Sequence, residues 1–380
     1  MLHGLLRVPA TAGVKTAVRE AQIARVGRPF IVLLYSANEP VGRRGGGIRN
    51  AVISQAVGLM RCGVDVQLLT SSEGCGHEAS RLGIPTKVDP NFHSGLLPLL
   101  SAPTRRICLE AARRSPAAVI HNSGRTWFAG NMLFPRSIHT QVLHREVVNP
   151  YRFFRKWIAL SERYADELRR GWSGMLRQIA VAPNGLVETP AAMDRRVNGG
   201  PLTVGVIGRL GRDDVKGMLL MLDAASVLKN RGVNARFRVA GPELGELQYE
   251  TERRGLSDQI EFAGWVDDIN GFLKKVDVFC LPSRKEAFGI VLLEAMANSV
   301  PVVATDTNGS AEVVIDGVTG TIVPREDPEA LATAIATMAE QPELALSQGR
   351  RGLDRVCSTY MPEHTGQRLI AALEELGAAI

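Results

Sequence analysis

Two glutamates separated by eight positions, Glu286 and Glu294, are the side chains best suited to chemistry in this sequence. They belong to a stretch that leaves a predicted strand, crosses a Pro-Ser loop and enters a helix. Ligands of open α/β sheets bind at the carboxyl ends of strands, where the next helix offers N–H groups to an anion. If the spacing is helical, the carboxylates lie within about 80° of one another and can accept hydrogen bonds from hydroxyls of one ligand. Alternatively, Glu286 is a helix N-terminal charge and Glu294 a surface residue, although apolar neighbours make an unpaired carboxylate costly there.

Two cations are predicted to share a strand-to-helix loop in the second half of the chain. Arg209 follows the strand and Lys216 precedes the helix. An arginine fork and a lysine point charge that converge on one place are typical of a diphosphate site. The alternative is a solvated loop that carries two charges. Beside the glutamates, we favour the diphosphate site.

Two weaker patterns follow other predicted strand ends. The small residues of segment 307–312 suit close backbone approach to a phosphate, or they form a plain helix start capped by Ser310. Trp265 and Val266 follow a strand at a point where a nucleotide base could rest.

Two patterns in the first half have both a functional and a structural interpretation. His121, followed by Asn122 and Ser123 at a strand end, could serve an acceptor substrate, whereas a lone histidine is often structural; His144 stands at a similar strand end. Segment 152–157 mixes cations with aromatics and could lie on an anionic membrane. For that segment we favour a helix that packs its aromatic side chains into the core.

A glycine triplet, Gly45, Gly46 and Gly47, precedes a predicted helix and has arginines on both sides, Arg43, Arg44 and Arg49. A glycine loop at a helix start can cradle a phosphate. It is not a Walker loop, because no Gly-Lys-Ser/Thr follows, and its spacing differs from the dinucleotide pattern. The sequence therefore disfavours a NAD-dependent dehydrogenase.

The composition fits a two-domain globular protein. The chain has 380 residues, 45% hydrophobic and 22% charged, a balance typical of globular domains. The start is interrupted by charge and proline, and no apolar run reaches the roughly 18 to 20 residues that span a bilayer. Five scattered cysteines lack zinc-site spacing and fit a reducing compartment. We therefore expect a cytoplasmic protein with no metal site.

The two halves carry opposite charge. Residues 1–190 hold 25 Lys and Arg against 12 Asp and Glu, whereas residues 191–380 hold 20 against 27. A basic first half is expected to meet an anionic partner, for which nucleic acid, anionic lipid and a phosphorylated acceptor all qualify by charge.

Strand and helix patterns alternate through both halves, which predicts a doubly wound α/β fold. The predicted strands are 30–35, 64–70, 117–121, 138–143, 202–207, 235–240, 259–262, 276–281 and 300–304. The predicted helices are 48–61, 217–230, 243–254, 268–275, 289–297, 328–340, 342–357 and 362–376. We divide the chain into an N-terminal extension (1–27), a first domain (28–187), a breaker-rich linker (188–200), a second domain (201–361) and a final helical segment (362–380).

The motifs of the second half resemble the retaining glycosyltransferases of family 4. The resemblance covers nearly the whole chain from Phe30 and is strongest from Val204 to Pro324. It is carried by Gly208-Arg209, Lys216-Gly217, Phe262-Ala263-Gly264, Pro282-Ser283 with Glu286 and Glu294, and Gly317-Val318-Thr319-Gly320. It implies a GT-B fold, in which two Rossmann-like doubly wound parallel-sheet domains face each other across a cleft.

The resemblance also implies roles for individual residues. Arg209 and Lys216 would bind the donor diphosphate and stabilise the departing nucleotide, Glu286 would contact the donor sugar, and Glu294 would hold the ribose hydroxyls. The remaining donor-site residues that we expect are Gly46, Gly47, Trp265, Val266, Ala287, Phe288, Gly289 and Ile290. His121 is carried over as a catalytic position on the acceptor side. Ser123 stands where many members have the second histidine of a His-x-His motif, which puts the acceptor-side assignment in doubt.

The function implied is a metal-independent, retaining hexosyltransferase of bacterial surface polysaccharide, lipopolysaccharide or glycolipid synthesis. Its partners would be a nucleotide-sugar donor and a sugar, glycolipid or polyprenyl-linked acceptor, with peripheral contact to an anionic inner membrane face and no nucleic acid. Two alternatives stay open: a nucleotide-sugar epimerase or phosphorylase, and a non-catalytic nucleotide-sugar-binding protein.

Overall fold

A computed structural model of the chain describes residues 29–35, 46–92, 101–114, 117–121, 138–144, 156–171, 178–188, 200–211 and 213–380. The described residues form two separate parallel sheets, one in each half of the sequence. The predicted N-terminal extension, most of the predicted linker, and Asn122, Ser123 and Gly45 lie outside the described residues.

The first sheet has seven described strands in the order β3-β2-β1-β4-β5-β6-β7. The strands are β1 (Phe30–Tyr35), β2 (Asp65–Thr70), β3 (Thr86–Val88), β4 (Ala117–His121), β5 (Ile138–Val142), β6 (Lys156–Ala159) and β7 (Gln178–Val181). The accompanying helices are α1 (Gly47–Arg61), α2 (Glu73–Arg81), α3 (Ala102–Arg114) and α4 (Glu162–Gly171). Strand β1 is an unbroken apolar run, buried from Ile31 to Tyr35, because helices cover both faces of a parallel sheet.

The second sheet has six strands in the order β10-β9-β8-β11-β12-β13. The strands are β8 (Leu202–Ile207), β9 (Ala235–Ala240), β10 (Ile260–Gly264), β11 (Val278–Leu281), β12 (Val302–Thr305) and β13 (Gly320–Val323). The helices are α5 (Met218–Asn230), α6 (Gly245–Arg253), α7 (Ile269–Leu273), α8 (Ile290–Ala297), α9 (Asn308–Val313), α10 (Pro328–Glu340), α11 (Pro342–Thr359) and α12 (Pro362–Glu375).

Each sheet has a point where the strand order reverses, between β1 and β4 in the first sheet and between β8 and β11 in the second. Ligands of doubly wound sheets bind at such switch points, outside the carboxyl ends of the strands. The loops that leave β8 and β11 hold Arg209, Lys216 and Glu286. The topology therefore brings these residues to one place.

The last helix joins the two halves. Helix α12 packs against α1 so closely that a side chain on Gly58 would collide with the carbonyl oxygen of Pro362. The chain of the first half is held there as well, because the Leu186 N–H donates to the Tyr360 carbonyl at 3.0 Å. One buried apolar cluster continues from β1 and α1 through α12 to α8 of the second half.

The structure confirms the predicted strands and the α/β alternation, and it corrects one segment. We favoured a helix over 152–157, but Lys156 and Trp157 begin strand β6, and residues 152–155 lie outside the described part. Trp157 is fully buried within the sheet. Strand β6 is short and is buried from Trp157 to Ala159. Periodicity alone cannot distinguish such a strand from a segment of buried helix.

Candidate active site

An ion pair stands at the switch point of the second sheet. The Lys216 ammonium lies 2.6 Å from Glu286 Oε2. The lysine side chain is 39% exposed and the glutamate 14% exposed, so the pair opens toward solvent on the cation's side. It provides a hydrogen-bond acceptor and a positive charge next to each other.

The chain holds the two loops of this pair together through backbone contacts. Gly217 has φ +66, and a side chain on it would collide with the carbonyl oxygen of Pro282. The Arg284 N–H donates to the Val215 carbonyl at 2.9 Å. Only glycine adopts that φ and allows that approach without strain, so Gly217 fixes where Lys216 meets Glu286.

Arg209 stands at the exposed edge of the same site. Within the described part of the chain its guanidinium has no hydrogen-bond or ion-pair partner. Since it follows β8 directly, it lies in the loop that also carries Lys216. Arg209 and Lys216 therefore share one loop, as predicted. Among the described contacts, none joins their two side chains.

Helix α5, which follows Lys216, is not available to an anion. Asp214 accepts hydrogen bonds from the Met218 N–H at 2.7 Å and the Leu219 N–H at 3.0 Å. This carboxylate satisfies the first turn and opposes the positive end of the helix dipole. Sequence reasoning missed Asp214, although an aspartate shortly before an apolar helical run is a recognisable cap signal.

Helices α8 and α1 differ from α5 at their N-termini. Gly289 precedes α8 with φ +86 and Gly46 precedes α1, and neither helix has a side-chain cap. Among the described residues, the N–H groups of Phe288 and Gly289 have no acceptor. Uncapped N–H groups and a positive dipole end attract phosphate. The two helix N-termini and Lys216 each offer positive charge that suits a diphosphate.

Glu294 faces the first half of the molecule. It lies in α8, half-buried, and its Oε1 accepts a hydrogen bond from Asn50 Nδ2 in α1 at 3.3 Å. Burial raises the pKa of Glu294 to about 7, and the Asn50 hydrogen bond opposes this rise. As predicted, Glu286 lies in the loop before α8 and Glu294 lies within the helix, so the angle of about 80° that helical spacing gives does not describe the two carboxylates. The loop, and not helix periodicity, brings Glu286 to the site.

The segment between the glutamates packs inward. Ala287, Phe288 and Ile290 are buried, and the Phe288 ring meets Tyr360 edge-on with ring centroids 6.0 Å apart. Gly309 touches this segment from α9, and its N–H donates to the Glu286 carbonyl at 2.8 Å. With the side chains turned into the core, the backbone is what this segment offers to a ligand.

The glycine loop is open at its described end. Among the described residues, a side chain on Gly46 or Gly47 would meet nothing within 4 Å, so no described residue crowds these two positions. The flanking Arg49 does not serve these positions, because it is buried and pairs with Glu78 at 3.4 Å. Arg49 therefore faces Glu78 and not the N-terminus of α1.

Two further segments follow strand ends: Trp265 with Val266, and 307–312. Their contacts with a nucleotide base and a phosphate stay predictions. Trp265 is 41% exposed, and its indole N–H donates to Asp267 at 2.9 Å, while Val266 is half-buried beside it. In segment 307–312 the cap is Thr307 and not Ser310, because the Thr307 hydroxyl accepts from the Ser310 N–H at 3.2 Å.

On the first sheet, His121 is fully buried at the end of β4 and pairs with His144. Its Nδ1 lies 2.8 Å from His144 Nε2. Burial, with a smaller effect of His144, holds the pKa of His121 well below its usual value, so its ring is neutral at pH 7. The strands β4 and β5 are neighbours, and this pairing of two strand-end histidines was not predicted. The catalytic role of His121 stays a prediction.

Part of the chain is similar in sequence to known glycosyltransferases. Residues 192–355 match the family described as Glycosyl transferases group 1. The lipopolysaccharide core biosynthesis mannosyltransferase LpcC of Rhizobium leguminosarum bv. viciae is 37% identical over 131 residues, 34% of this chain and 37% of that protein. The lipopolysaccharide core biosynthesis mannosyltransferase LpsB of Rhizobium meliloti (strain 1021) is 34% identical over 183 residues, 46% of this chain and 51% of that protein. The chain thus spans about a third to a half of the length of these relatives.

The fold is also that of solved glycosyltransferase structures. The crystal structure of Anabaena Alr3699/HepE in complex with UDP and glucose is similar with a TM-score of 0.71 at 18% identity, over 90% of this chain and 99% of that chain. At that identity the likeness shows the fold, two Rossmann-like domains of the GT-B type. Residues 192–355 include Lys216, Glu286 and Glu294. Residues 192–355 therefore match the group 1 glycosyltransferase family, and the chain has a GT-B fold.

Proposed function

We propose that this protein is a retaining glycosyltransferase that transfers a hexosyl unit from a nucleotide-diphosphate sugar to a hydroxyl group without a metal ion. The observation that carries the proposal is the 2.6 Å pair between Lys216 and Glu286, set at the switch point of the second sheet beside the uncapped N-terminus of α8. This arrangement combines a place for an anion with a carboxylate that can accept hydrogen bonds from sugar hydroxyls.

The leaving group determines the chemistry that this site performs. As the bond between the anomeric carbon and the phosphate oxygen breaks, Lys216, Arg209 and the helix N-termini oppose the charge that grows on the diphosphate. Prearranged groups of this kind are commonly the largest single contribution to catalysis. The acceptor oxygen bonds to the anomeric carbon on the face that the phosphate leaves, and its proton passes to the departing phosphate oxygen. The configuration is retained, and the cations take the place of a metal.

The relatives give the proposed pathway. Both mannosyltransferases named above are lipopolysaccharide core enzymes by description, so we assign this protein to bacterial surface polysaccharide or glycolipid synthesis. The described residues contain no helix that is long and apolar enough to cross a membrane. An exposed stripe on α3, formed by Arg105, Arg106 and Arg113 around the 57% exposed Leu109, supports peripheral contact with an anionic membrane face near a lipid-linked acceptor.

The function is tested by a binding screen followed by a transfer assay. Thermal shifts of the purified protein are measured with UDP, GDP and ADP and with their sugar conjugates, since a ligand raises stability with the logarithm of its concentration over Kd. Transfer is then followed with the best radiolabelled donor and a bacterial lipopolysaccharide and lipid extract, with EDTA present. We expect one base to bind preferentially and label to appear in the extract. Donor consumption without an acceptor would favour the epimerase or phosphorylase, and binding without transfer would favour a non-catalytic protein.

A further inference from the structure

Asn50 is a cleft residue from the first half that contacts the expected donor site of the second half. Its Nδ2 donates to Glu294 Oε1 at 3.3 Å, across 244 positions of sequence. Both side chains are half-buried, and the helices that carry them, α1 and α8, touch one another. The contact therefore forms part of the wall between the two domains.

Asn50 is held in place independently of Glu294. Helix α1 is anchored on three sides: Arg49 pairs with Glu78, Gln55 Nε2 donates to Asn184 Oδ1 at 3.2 Å, and Gly58 packs against α12. The helix thus presents Asn50 to the cleft in a fixed position.

Glu294 is held from the other side by its own helix and α7. Asn298 Nδ2 donates to the Glu294 carbonyl at 2.8 Å and to Asn270 Oδ1 at 2.9 Å. The end of α8 is thereby tied to α7, and the Glu294 side chain is left to face Asn50.

The pair has hydrogen-bonding capacity to spare. A carboxylate accepts at about four positions, and Asn50 uses one of them. The asparagine amide has a second N–H and a carbonyl oxygen, neither of which has a partner among the described residues. A vicinal diol has two O–H donors and two oxygen acceptors, so the carboxylate can accept from both hydroxyls while the amide donates to one of their oxygens.

We propose that Asn50 is a donor-binding residue that completes, from the first domain, the recognition of the ribose 2′,3′-diol by Glu294. This proposal rests on the proposed function, because it requires a nucleotide donor in the cleft. It adds a contact through which binding of the nucleotide draws the two domains together.

Neighbouring charges do not replace this contact. On α1, Arg49 is turned to Glu78; beside α8, Lys216 is bound to Glu286; and on α11, Arg355 donates to the carbonyls of residues 312 and 313. Burial raises the pKa of Glu294 and the Asn50 hydrogen bond lowers it. Among the described residues, a neutral amide is therefore what meets this carboxylate across the cleft.

The test is a calorimetric titration of the full-length chain with the nucleoside diphosphate that binds best in the screen, and with its 2′,3′-dideoxy analogue. The variants are Asn50→Ala, Asn50→Asp and Glu294→Gln, with Asn230→Ala as a matched control on an exposed asparagine at the end of α5. At pH 8 we expect Asn50→Ala to bind the diphosphate about tenfold more weakly, the value of one hydrogen bond in a charged network. The loss should vanish with the dideoxy analogue, because that probe has no diol for Asn50 to contact.

Asn50→Asp gives a second, independent readout. It places a carboxylate next to Glu294, so binding at pH 8 should be weaker than in Asn50→Ala and should recover as the pH falls and the two carboxyls share a proton. A merely structural asparagine would show neither the diol dependence nor this recovery.

The outcomes separate this proposal from the proposed function. If the wild-type chain binds none of UDP, GDP or ADP, the proposed function fails. If wild type binds but Asn50→Ala binds equally well or more tightly, or loses the same factor with the dideoxy analogue, the function stands and the role of Asn50 is overturned.

Discussion

The cleft lies between the first and second sheets, and its two edges, one formed by each sheet, differ in their polar groups. The edge formed by the second sheet has charged groups, Lys216, Glu286 and Arg209, in loops that close backbone contacts hold in place. The described edge of the first sheet has an uncapped glycine helix start, the amide of Asn50, and the buried, neutral His121 beside the half-buried His144. The edge of the second sheet carries charged groups, whereas the described part of the other edge offers neutral ones.

Under the proposed function, this difference divides the work of binding and reaction between the two domains. A diphosphate bound to the second domain needs cations fixed before it arrives, since prearranged groups need no reorganisation during reaction. A domain that closes over the ligand is better served by backbone N–H groups and amides, which do not carry the desolvation cost of a free charge. The comparison becomes sharper when each edge is altered separately.

The largest effect is expected from the charged edge. Lys216→Ala and Arg209→Ala should each reduce the rate of donor turnover by about a hundredfold or more, because each removes a cation that stabilises the leaving diphosphate. The measurement is kcat and kcat/KM for nucleoside diphosphate release in the presence of acceptor. Because these charges act mainly as the bond breaks, kcat should fall with kcat/KM.

Lys229→Ala is the matched control for this change. Lys229 is 41% exposed, close to the 39% of Lys216, and it also pairs with a carboxylate, Asp258, at 3.0 Å. It lies at the end of α5, away from the switch point, so its removal should leave turnover unchanged. Equal losses in both lysine variants, or none in either, would mean that the charged edge has no special role.

The next effect concerns Glu294 and is pH-dependent. In the proposed donor complex, ribose hydroxyls donate to the ionised carboxyl of Glu294, whose pKa in the free protein is raised to about 7. Binding therefore weakens as the pH falls below about 7, by up to tenfold per pH unit while the bound form stays ionised. Glu294→Gln should bind more weakly at pH 8 and follow the pH less steeply. The diphosphate itself also titrates, but it does so equally in both proteins. Subtracting the pH profile of Glu294→Gln from that of wild type therefore leaves the effect of Glu294.

The same variant separates binding from folding. The native pKa of Glu294 lies above its unfolded value, so the folded chain holds the proton more tightly and loses stability as the pH rises from about 4.5 to about 7. Glu294→Gln lacks this loss and should unfold at a temperature equal to or above that of wild type at pH 8. A marked fall in Tm would show that the carboxylate serves the fold and not a ligand.

A smaller effect is expected at the neutral edge. Gly46 has an ordinary φ of −66, and a side chain there would meet no described residue within 4 Å. Gly46→Ala should therefore keep the stability of wild type and lose about fivefold in donor affinity, roughly 1 kcal/mol, through crowding of the bound phosphate. Gly171→Ala, at a second open glycine, is the control. If donor affinity is unchanged in Gly46→Ala, the helix start of α1 is not part of the site.

The sequence predicted the charged edge better than the neutral one, for a physical reason. Lys216, Glu286 and Glu294 belong to strand-loop-helix units whose order alone places them at a switch point. The contact of Asn50 with Glu294 spans 244 positions, and no local pattern contains it. The helix predicted over 152–157 was wrong because the strand at Trp157 is buried on both faces, so polar and apolar residues do not alternate along it. His144 was weighed alone, although its partner comes from the neighbouring strand.

The smallest effect tests whether the two edges are joined by charge outside the site. Arg163 of α4 pairs with Asp306, which follows β12, in a bidentate contact, and Asn308 Nδ2 donates to Glu167 at 2.8 Å. Arg163 lowers the pKa of Asp306, but both side chains are about half exposed. An exposed pair is worth about 0.2 to 1 kcal/mol and is screened by salt. Arg163→Ala should change the donor KM by less than about fivefold, and the difference should disappear in 0.5 to 1 M NaCl. A larger, salt-resistant change would mean that this bridge holds the cleft closed, and that the neutral edge depends on charge after all.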